Sequence, residues 1–276
     1  MRSSGAVLAP STAFAHVERI LYPSDPSAPS DAAYAHARLL ADRFAAALIV
    51  HHPSGVPSGA VDASTGLALH SVPAPASVEA EAAESETELA LLRAVQMHLP
   101  DLVVMSTHAR AGLAQACLGS AVECVLRRGI RPVLCVPPNA LPAGPYRRIL
   151  VPIDGSEVSL RALPWAGELA EAFGSTIVVL HALSPETPSS GGALRAAPFD
   201  ETRLGALVRP RLPGLPVEVA VVIASPAWST ITHAAREQDA DLVVMASQGR
   251  HGLRDAPVGS TAERVVRHSA LPVLVA

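Results

Sequence analysis

Short apolar runs bounded by small and turn-forming residues recur along the chain, and between them apolar positions repeat every three to four residues. In the carboxyl-terminal half the runs at 148–153, 176–182, 217–223, 241–245 and 271–275 have the length and β-branched content of strands buried on both faces. The segments between them predict helices. Residues 157–173 carry Leu160, Leu163, Ala166 and Leu169 along one face, with a kink expected at Pro164. Residues 200–209 predict a short helix, ended by Pro210 and Pro213, after a Pro/Ser/Gly loop over 184–197. Ser225 is the expected cap of a further helix with Pro226 at its first position, turning Trp228, Ile231 and Ala235 inward. Ser260, with Glu263 three residues later, reads as a capping box opening the last helix. Strands alternating with helices through right-handed crossovers give an open parallel sheet covered on both faces.

The pattern is written twice. Ile20-Leu-Tyr-Pro-Ser-Asp25 matches Ile149-Leu-Val-Pro-Ile-Asp154 at a separation of 129 residues, which also carries Phe44 onto Phe173 and His52 onto His181. Further on the separation is 140: Asp101-Leu-Val-Val-Met matches Asp241-Leu-Val-Val-Met, Gly119-Ser120 matches Gly259-Ser260, Glu123 matches Glu263, and Pro132-Val-Leu matches Pro272-Val-Leu. The 11 extra residues, the difference between the two separations, fall between strands two and three of the second copy, where surface insertions are tolerated. Proline-rich sequence over 137–145 divides the copies. The expected organisation is a loose tail at 1–15, one domain over 16–137, a linker at 138–145 and a second domain over 146–276. Each domain is expected to be a doubly wound, open, parallel five-stranded sheet of the α/β class. The first copy is less regular. Residues 53–59 are too broken for a full helix, its third strand is expected at 77–83, and Ser85 with Glu88 reads as a capping box for a helix carrying Leu89, Leu92 and Val95.

Composition narrows the chemistry. A chain of 276 residues with 49% hydrophobic but only 3% aromatic residues must build its core from Ala, Val, Leu and Ile, which suits parallel sheets flanked by helices. All 21 basic residues are arginine and the net charge is −4, without a basic block, so the footprint of a nucleic-acid binder is missing. A P-loop lacks its lysine. No uncharged apolar run approaches the roughly 18 residues of a membrane span, and the first fifteen residues make a poor secretory signal. Cys117, Cys124 and Cys135 fit neither a disulfide framework nor a zinc site and suit unreactive thiols in a reducing cytoplasm. There is no Gly-x-Ser-x-Gly elbow and no Gly-x-Gly-x-x-Gly fingerprint, so a serine hydrolase and a dinucleotide oxidoreductase lack their motifs.

In open α/β sheets ligands bind at the carboxyl ends of the strands, which in the second copy would gather Asp154, His181, Ala182 and the 245–260 loop. The amides at the entrance of the helix after that loop are unsatisfied and suit a phosphate. From Val17 to Ala276 the sequence resembles the universal stress protein family in its tandem two-domain form. The resemblance rests on Pro-x-Asp closing strand one, the His ending strand two, Asp-Leu-Val-Val-Met before the loop, Gly-Ser before a helix, and the terminal Pro-Val-Leu-Val. It implies two Rossmann-like domains in a cytoplasmic stress-response protein that is not an enzyme, with slow ATP hydrolysis left open. It implies an adenine nucleotide, ATP with magnesium, as ligand. It also implies that 133–136 packs on 273–276 as an internal pseudo-dimer, with further homo-oligomers an open question.

Members of that family that bind ATP carry Gly, two residues, Gly, nine residues, Gly, then Ser or Thr. The second copy reads Ala246-Ser-Gln-Gly249, nine residues, Gly259-Ser260, keeping three of the four positions. If the first needs φ > 0, Ala246 costs on the order of 1 kcal/mol and its methyl crowds a ribose. The resemblance places Pro152 and Asp154 beside the nucleotide and Ala182, Met245 and Ala246 around its base and sugar. Gly249, Gly259, Ser260 and Thr261 then hold ribose and phosphates, with Arg250 and Arg254 in reach of a triphosphate. The first copy reads Ser106-Thr-His-Ala109, nine residues, Gly119-Ser120, and has Pro26 after Asp25, so little nucleotide binding is expected there. Plainer roles stand beside these: Ser120 and Ser260 as helix caps, Asp154 as a turn cap, and His52 and His181 as hydrogen-bonding residues of the fold rather than metal ligands. The alternative function is a nucleotide-free interaction or oligomerisation module.

Overall fold

The computed structural model describes residues 16–24, 31–51, 86–107, 119–140, 142–183, 200–248 and 259–276. The first half runs β1 (Arg19–Pro23), α1 (Asp31–Phe44), β2 (Ala47–His51), α2 (Glu86–His98), β3 (Leu102–Ser106), α3 (Ser120–Arg128) and β4 (Val133–Val136). The second runs β5 (Arg148–Pro152), α4 (Ala162–Phe173), β6 (Thr176–Leu183), α5 (Glu201–Val208), β7 (Val217–Ile223), α6 (Ala227–Glu237), β8 (Leu242–Met245), α7 (Ser260–His268) and β9 (Val273–Val275). Among the described residues these strands form one sheet in the order β2-β1-β3-β4-β9-β8-β5-β6-β7. Every pairing is parallel except β4 with β9, where Val133, Leu134 and Cys135 lie opposite Val275, Leu274 and Val273. The two halves therefore share a sheet but present their carboxyl edges in opposite directions. The internal pairing of the two terminal strands is realised.

Strand side chains alternate between two cores. Ile149, Val151, Leu242, Val244 and Leu274 pack under α1, α4 and α5, whereas Leu150, Val178, Val243, Met245 and Val273 pack under α2, α3, α6 and α7. One device repeats. Asp101 Oδ2 accepts from the Glu18 and Arg19 N–H groups at 2.9 Å each, and Asp241 Oδ2 from Arg147 and Arg148 at 2.7 and 2.9 Å. The aspartate that opens each Asp-Leu-Val-Val-Met run thus ties its strand to the start of its neighbour, a structural reason for the recurrence.

The halves are also clasped by side chains. His36 on α1 shares a 2.7 Å hydrogen bond, through Nδ1, with the Tyr146 hydroxyl, both groups almost fully buried. Tyr146 stands edge-on to Phe173 at 5.1 Å, Ser175 Oγ donates to the Tyr146 carbonyl, and Arg43 donates to the Ala172 carbonyl while lying 5.6 Å over the Phe173 ring.

Four local expectations change. A 3-10 turn at Ser159–Arg161 precedes α4, so Pro164 falls in the first helical turn, where its missing N–H has no helical partner to lose, and a kink there has no cause. Pro226 is itself the extended N-cap of α6 and no side chain caps it, which removes Ser225 from that role. Gly119 and Gly259 are the N-caps of α3 and α7, so Ser120 and Ser260 are the first helical residues and cap nothing. Glu123 and Glu263 instead bind Arg127 and Arg267 one turn on, an i,i+4 pair that the same spacing also allows. The 53–59 loop, the strand expected at 77–83, His52 and Ser85 lie outside the described residues, although α2 does begin at Glu86.

Candidate functional site

The carboxyl edge of the second half is assembled by strand register. Pro152 lies opposite Leu180, which sets Asp154 level with Ala182 two residues further along. Leu150 lies opposite Val243, which brings Met245 and Ala246 beside Pro152 and Ile153. Pro152, Asp154, Ala182, Met245 and Ala246 therefore meet at one edge. Their side chains divide in exposure: Pro152, Met245 and Ala246 are buried, while Asp154 and Ala182 are half-buried. Met245 turns its thioether into the core beneath α6 and α7, so its main chain is what faces the edge.

Asp154 closes a compact turn. Its Oδ1 accepts from the Ser156 N–H at 2.9 Å and from the Ser156 hydroxyl at 2.6 Å, and Gly155 takes φ 79°, a region that favours glycine. Ser159 completes the ring, its hydroxyl donating to the Ser156 carbonyl at 2.8 Å while the Asp154 N–H reaches its oxygen at 3.3 Å. The turn-cap role is therefore real. The network fixes the carboxylate as it leaves β5. Ser156 and Ser159 are additions to the predicted set, and Asp-x-Ser-x-x-Ser was the signal available for them.

His181 is 4% exposed, with Nδ1 2.8 Å from the Ile153 carbonyl. Because a carbonyl only accepts, Nδ1 carries the proton, and the ring holds the ends of β5 and β6 together. Among the described residues no three His, Cys, Asp or Glu side chains gather as a metal site.

The chain beyond β8 is pinned twice. Ser247 N–H donates to the Ala276 carbonyl and Ala276 N–H to that of Met245, both at 2.9 Å, and Gly259 N–H then donates to the Ser247 carbonyl at 2.6 Å. The first half repeats this, with Thr107 N–H donating to Val136 and Gly119 N–H to Thr107. Gly259 holds an ordinary φ of −72°, and a Cβ there would come into van der Waals contact with the Ser247 oxygen at 3.4 Å and the Gln248 Cα at 3.7 Å. The clasp delivers the start of α7 to the edge. No side chain caps α7, so the amides of Ser260, Thr261 and Ala262 point outward with the positive end of the helix dipole. Ser260 is exposed and Thr261 half-buried. Gly249, Arg250 and Arg254 lie outside the described residues.

Ala246 is not at positive φ. Among the described residues the non-glycine positions with positive φ are Ala45, Leu99 and Asp239. The backbone penalty anticipated for alanine therefore does not arise, because the chain leaves β8 in a conformation any residue adopts. What remains of the departure is one buried methyl.

An α/β chain folded twice into a shared doubly wound sheet, with a helix entrance and a strand-end aspartate at one edge, defines a tandem Rossmann-like protein. Residues 16–137 and 145–276 each match the model of the universal stress protein family, and the chain belongs to that family. A universal stress protein of Mycobacterium tuberculosis is 32% identical over 184 residues, covering 64% of this chain and 61% of that protein. The chain thus spans about three fifths of the length of the curated relatives it matches first. A universal stress protein of Methanocaldococcus jannaschii is 32% identical over 139 residues, 47% of this chain and 81% of that one. Among solved structures, a universal stress protein from Archaeoglobus fulgidus aligns with TM-score 0.64 at 18% identity, covering 95% of this chain and 97% of that chain. A protein of unknown function from Pseudomonas aeruginosa PAO1 aligns with TM-score 0.62 at 20% identity, covering 96% and 94%. Both show the fold.

Proposed function

We propose that the carboxyl edge of the second half binds ATP or a related adenine nucleotide as a regulatory ligand, in a cytoplasmic stress-response protein that retains the nucleotide rather than turning it over. The observation that supports this reading is the clasp of Gly259 on Ser247, which aims three amides of α7 at the edge where Asp154 is held in its turn. Open helix amides suit phosphate oxygens, and a fixed carboxylate suits a ribose hydroxyl or a magnesium-bound water. Magnesium enters with the triphosphate, which carries the oxygens it prefers. No helix among the described residues is long and apolar enough to cross a membrane. The test is a thermal shift with Mg·ATP against Mg·GTP: saturating ATP should raise the Tm as a ligand selective for the folded state does, and GTP should raise it less. Equal shifts, or none, would remove the adenine nucleotide from the account.

A second reading, an interaction module without nucleotide, is favoured by β7. This outer strand leaves Val222 and Ile223 exposed, Ile223 at 70%. Sedimentation of the nucleotide-free chain distinguishes the two, since association that is independent of ATP and lost in Ile223→Lys supports the second.

A further inference from the structure

The two copies differ at the end of each half where its strands begin. In the first half Met97 near the end of α2, Leu99 just beyond it and Ile130 just beyond α3 are 43%, 49% and 39% exposed. Because α2 packs on α3 and each leads into one of the adjacent strands β3 and β4, the three residues share one corner. The 140-residue repeat places Glu237, Asp239 and Ala270 at the same positions in the second half. The fold thus needs no large apolar residue at any of them.

Leu99 is the sharper case. It holds φ 44° where Asp239 holds 48°, a left-handed conformation that aspartate tolerates and leucine does not favour. The first half therefore keeps a strained, half-exposed leucine where its own twin shows a polar residue serving the backbone better. Strain retained on a surface points to a use for that surface.

The charges differ in the same sense. In the second half His233 pairs with Glu237 at 3.1 Å, one turn apart on α6. The equivalent residues of the first half are Arg93 and Met97, so a guanidinium stands in place of the imidazole and the carboxylate is gone. Arg131, following Ile130, stands where the second half has Leu271. The Nε atoms of Arg93 and Arg131 are shielded from solvent and have no hydrogen-bond partner among the described residues. Glu123 is engaged by Arg127, and Asp101 Oδ2 accepts from the Glu18 and Arg19 amides.

We propose that this corner of the first half docks a short segment of a partner protein that carries an apolar anchor flanked by carboxylates. The anchor covers Met97, Leu99 and Ile130, and the carboxylates meet the guanidinium groups of Arg93 and Arg131 in bidentate fashion. Size separates this occupant from a second copy of the chain. The three side chains expose on the order of 200 Å², far below the roughly 800 Å² per partner of a stable dimer, and match one or two anchoring side chains of a peptide. The corner lies in the other half from the proposed nucleotide site, on the same rim of the sheet because β4 and β9 are antiparallel, and its residues are not among those proposed to hold the nucleotide.

The test uses the full chain and a panel of fluorescein-labelled hexapeptides, Glu-Asp-X-X-Asp-Glu with X as Leu, Ile, Met or Phe, followed by fluorescence anisotropy at low salt. The internal twin supplies the variant Met97→Glu, Leu99→Asp, Ile130→Ala, which should fold at least as stably as the wild type because Leu99→Asp relieves the backbone. A second variant, Arg93→Gln with Arg131→Gln, tests the charges. At least one peptide should bind the wild type below 1 mM, each variant should weaken it at least tenfold, and a Gln-Asn-flanked peptide should bind at least tenfold more weakly. Absence of binding across the panel, or equal affinity for wild type and variants, overturns the proposal. So does binding of phosphatidylserine vesicles through the same residues without peptide binding, which would make the corner a membrane contact. Dimerisation of the wild type that the triple variant abolishes would assign it to a second copy instead.

Discussion

Replacing Tyr146 by Phe is a narrow probe of how the two halves are held. The change keeps the ring that stands against Phe173, so its apolar burial is preserved, and deletes only the hydroxyl shared with His36 Nδ1. Burial of the hydroxyl, with a contribution from Asp241, raises its pKa, so the O–H is present across the working range. Removing one partner of a buried hydrogen bond forfeits the bond and strands the other group, and together these cost about 1–2 kcal/mol. His36→Leu strands the tyrosine hydroxyl in the same way and should cost a similar amount. The double variant leaves two apolar groups in an apolar seam, so it should be less destabilised than the sum of the singles, by about 1 kcal/mol. The repeat supports this expectation, because the positions equivalent to His36 and Tyr146 are Trp165 and Val17. Urea unfolding followed by Trp165 fluorescence provides the readout at the seam itself, with the m-value unchanged among variants. Strict additivity, or a Tyr146→Phe variant within about 0.3 kcal/mol of wild type, would refute the reasoning, since a bond worth measuring between contacting residues must couple.

Other expectations follow from single positions. Gly174 closes α4 at φ 70° with open space where a Cβ would stand, so Gly174→Ala should lose about 1 kcal/mol for backbone reasons alone, and Ala45→Gly at the equivalent φ of 52° should gain up to about 1 kcal/mol, both by urea titration. Burial pushes the Cys135 thiol up to about 12, so with Cys117 and Cys124 replaced by Ser it should resist a disulfide reagent at pH 8 until the β4–β9 seam opens; reaction at the rate of a free thiol would contradict that pairing. Burial raises the Glu168 carboxyl above its ordinary range, with Glu171 adding and His16 opposing. The folded chain therefore binds this proton more tightly than the unfolded one, and stability is lost as pH rises through the raised value. Glu168→Gln should accordingly be more stable than wild type at pH 8, with the difference vanishing below about pH 4, the ordinary carboxylate range.

Most of the architecture was legible because hydrophobic periodicity and the internal repeat constrain each other. The strand at Val217–Ile223 fell where the apolar run put it, and the parallel order followed from alternation with helices. Helix entrances were less legible. Ser-x-x-Glu fits a capping box and also an exposed Glu–Arg pair displaced by one residue, and only the close approach of Gly259 to Ser247 decides between them. At the candidate site the sequence pointed to Asp154, Ala182 and Ser260 but not to Ser156 and Ser159. Those two act through a local turn whose small polar residues resemble any loop. The departure at Ala246 was visible, yet its consequence depended on a dihedral angle that no residue name supplies. The His36–Tyr146 clasp joins residues 110 positions apart in positions where the repeat has a different pair, so no periodic signal carried it.

The central claim is that the second half's edge holds an adenine nucleotide, and calorimetric titration of Mg·ATP into the full chain, wild type beside Gly259→Val, tests it most directly. Valine at Gly259 would place its Cβ in ordinary contact with the Ser247 carbonyl at 3.4 Å, and its two γ-methyls add bulk beside the clasp that holds the α7 amides at the edge. With folding of the variant verified by circular dichroism, the account predicts saturable heat at one nucleotide per wild-type chain and at least tenfold weaker binding by the variant. No heat up to millimolar ATP, or equal binding by the two proteins, would contradict it.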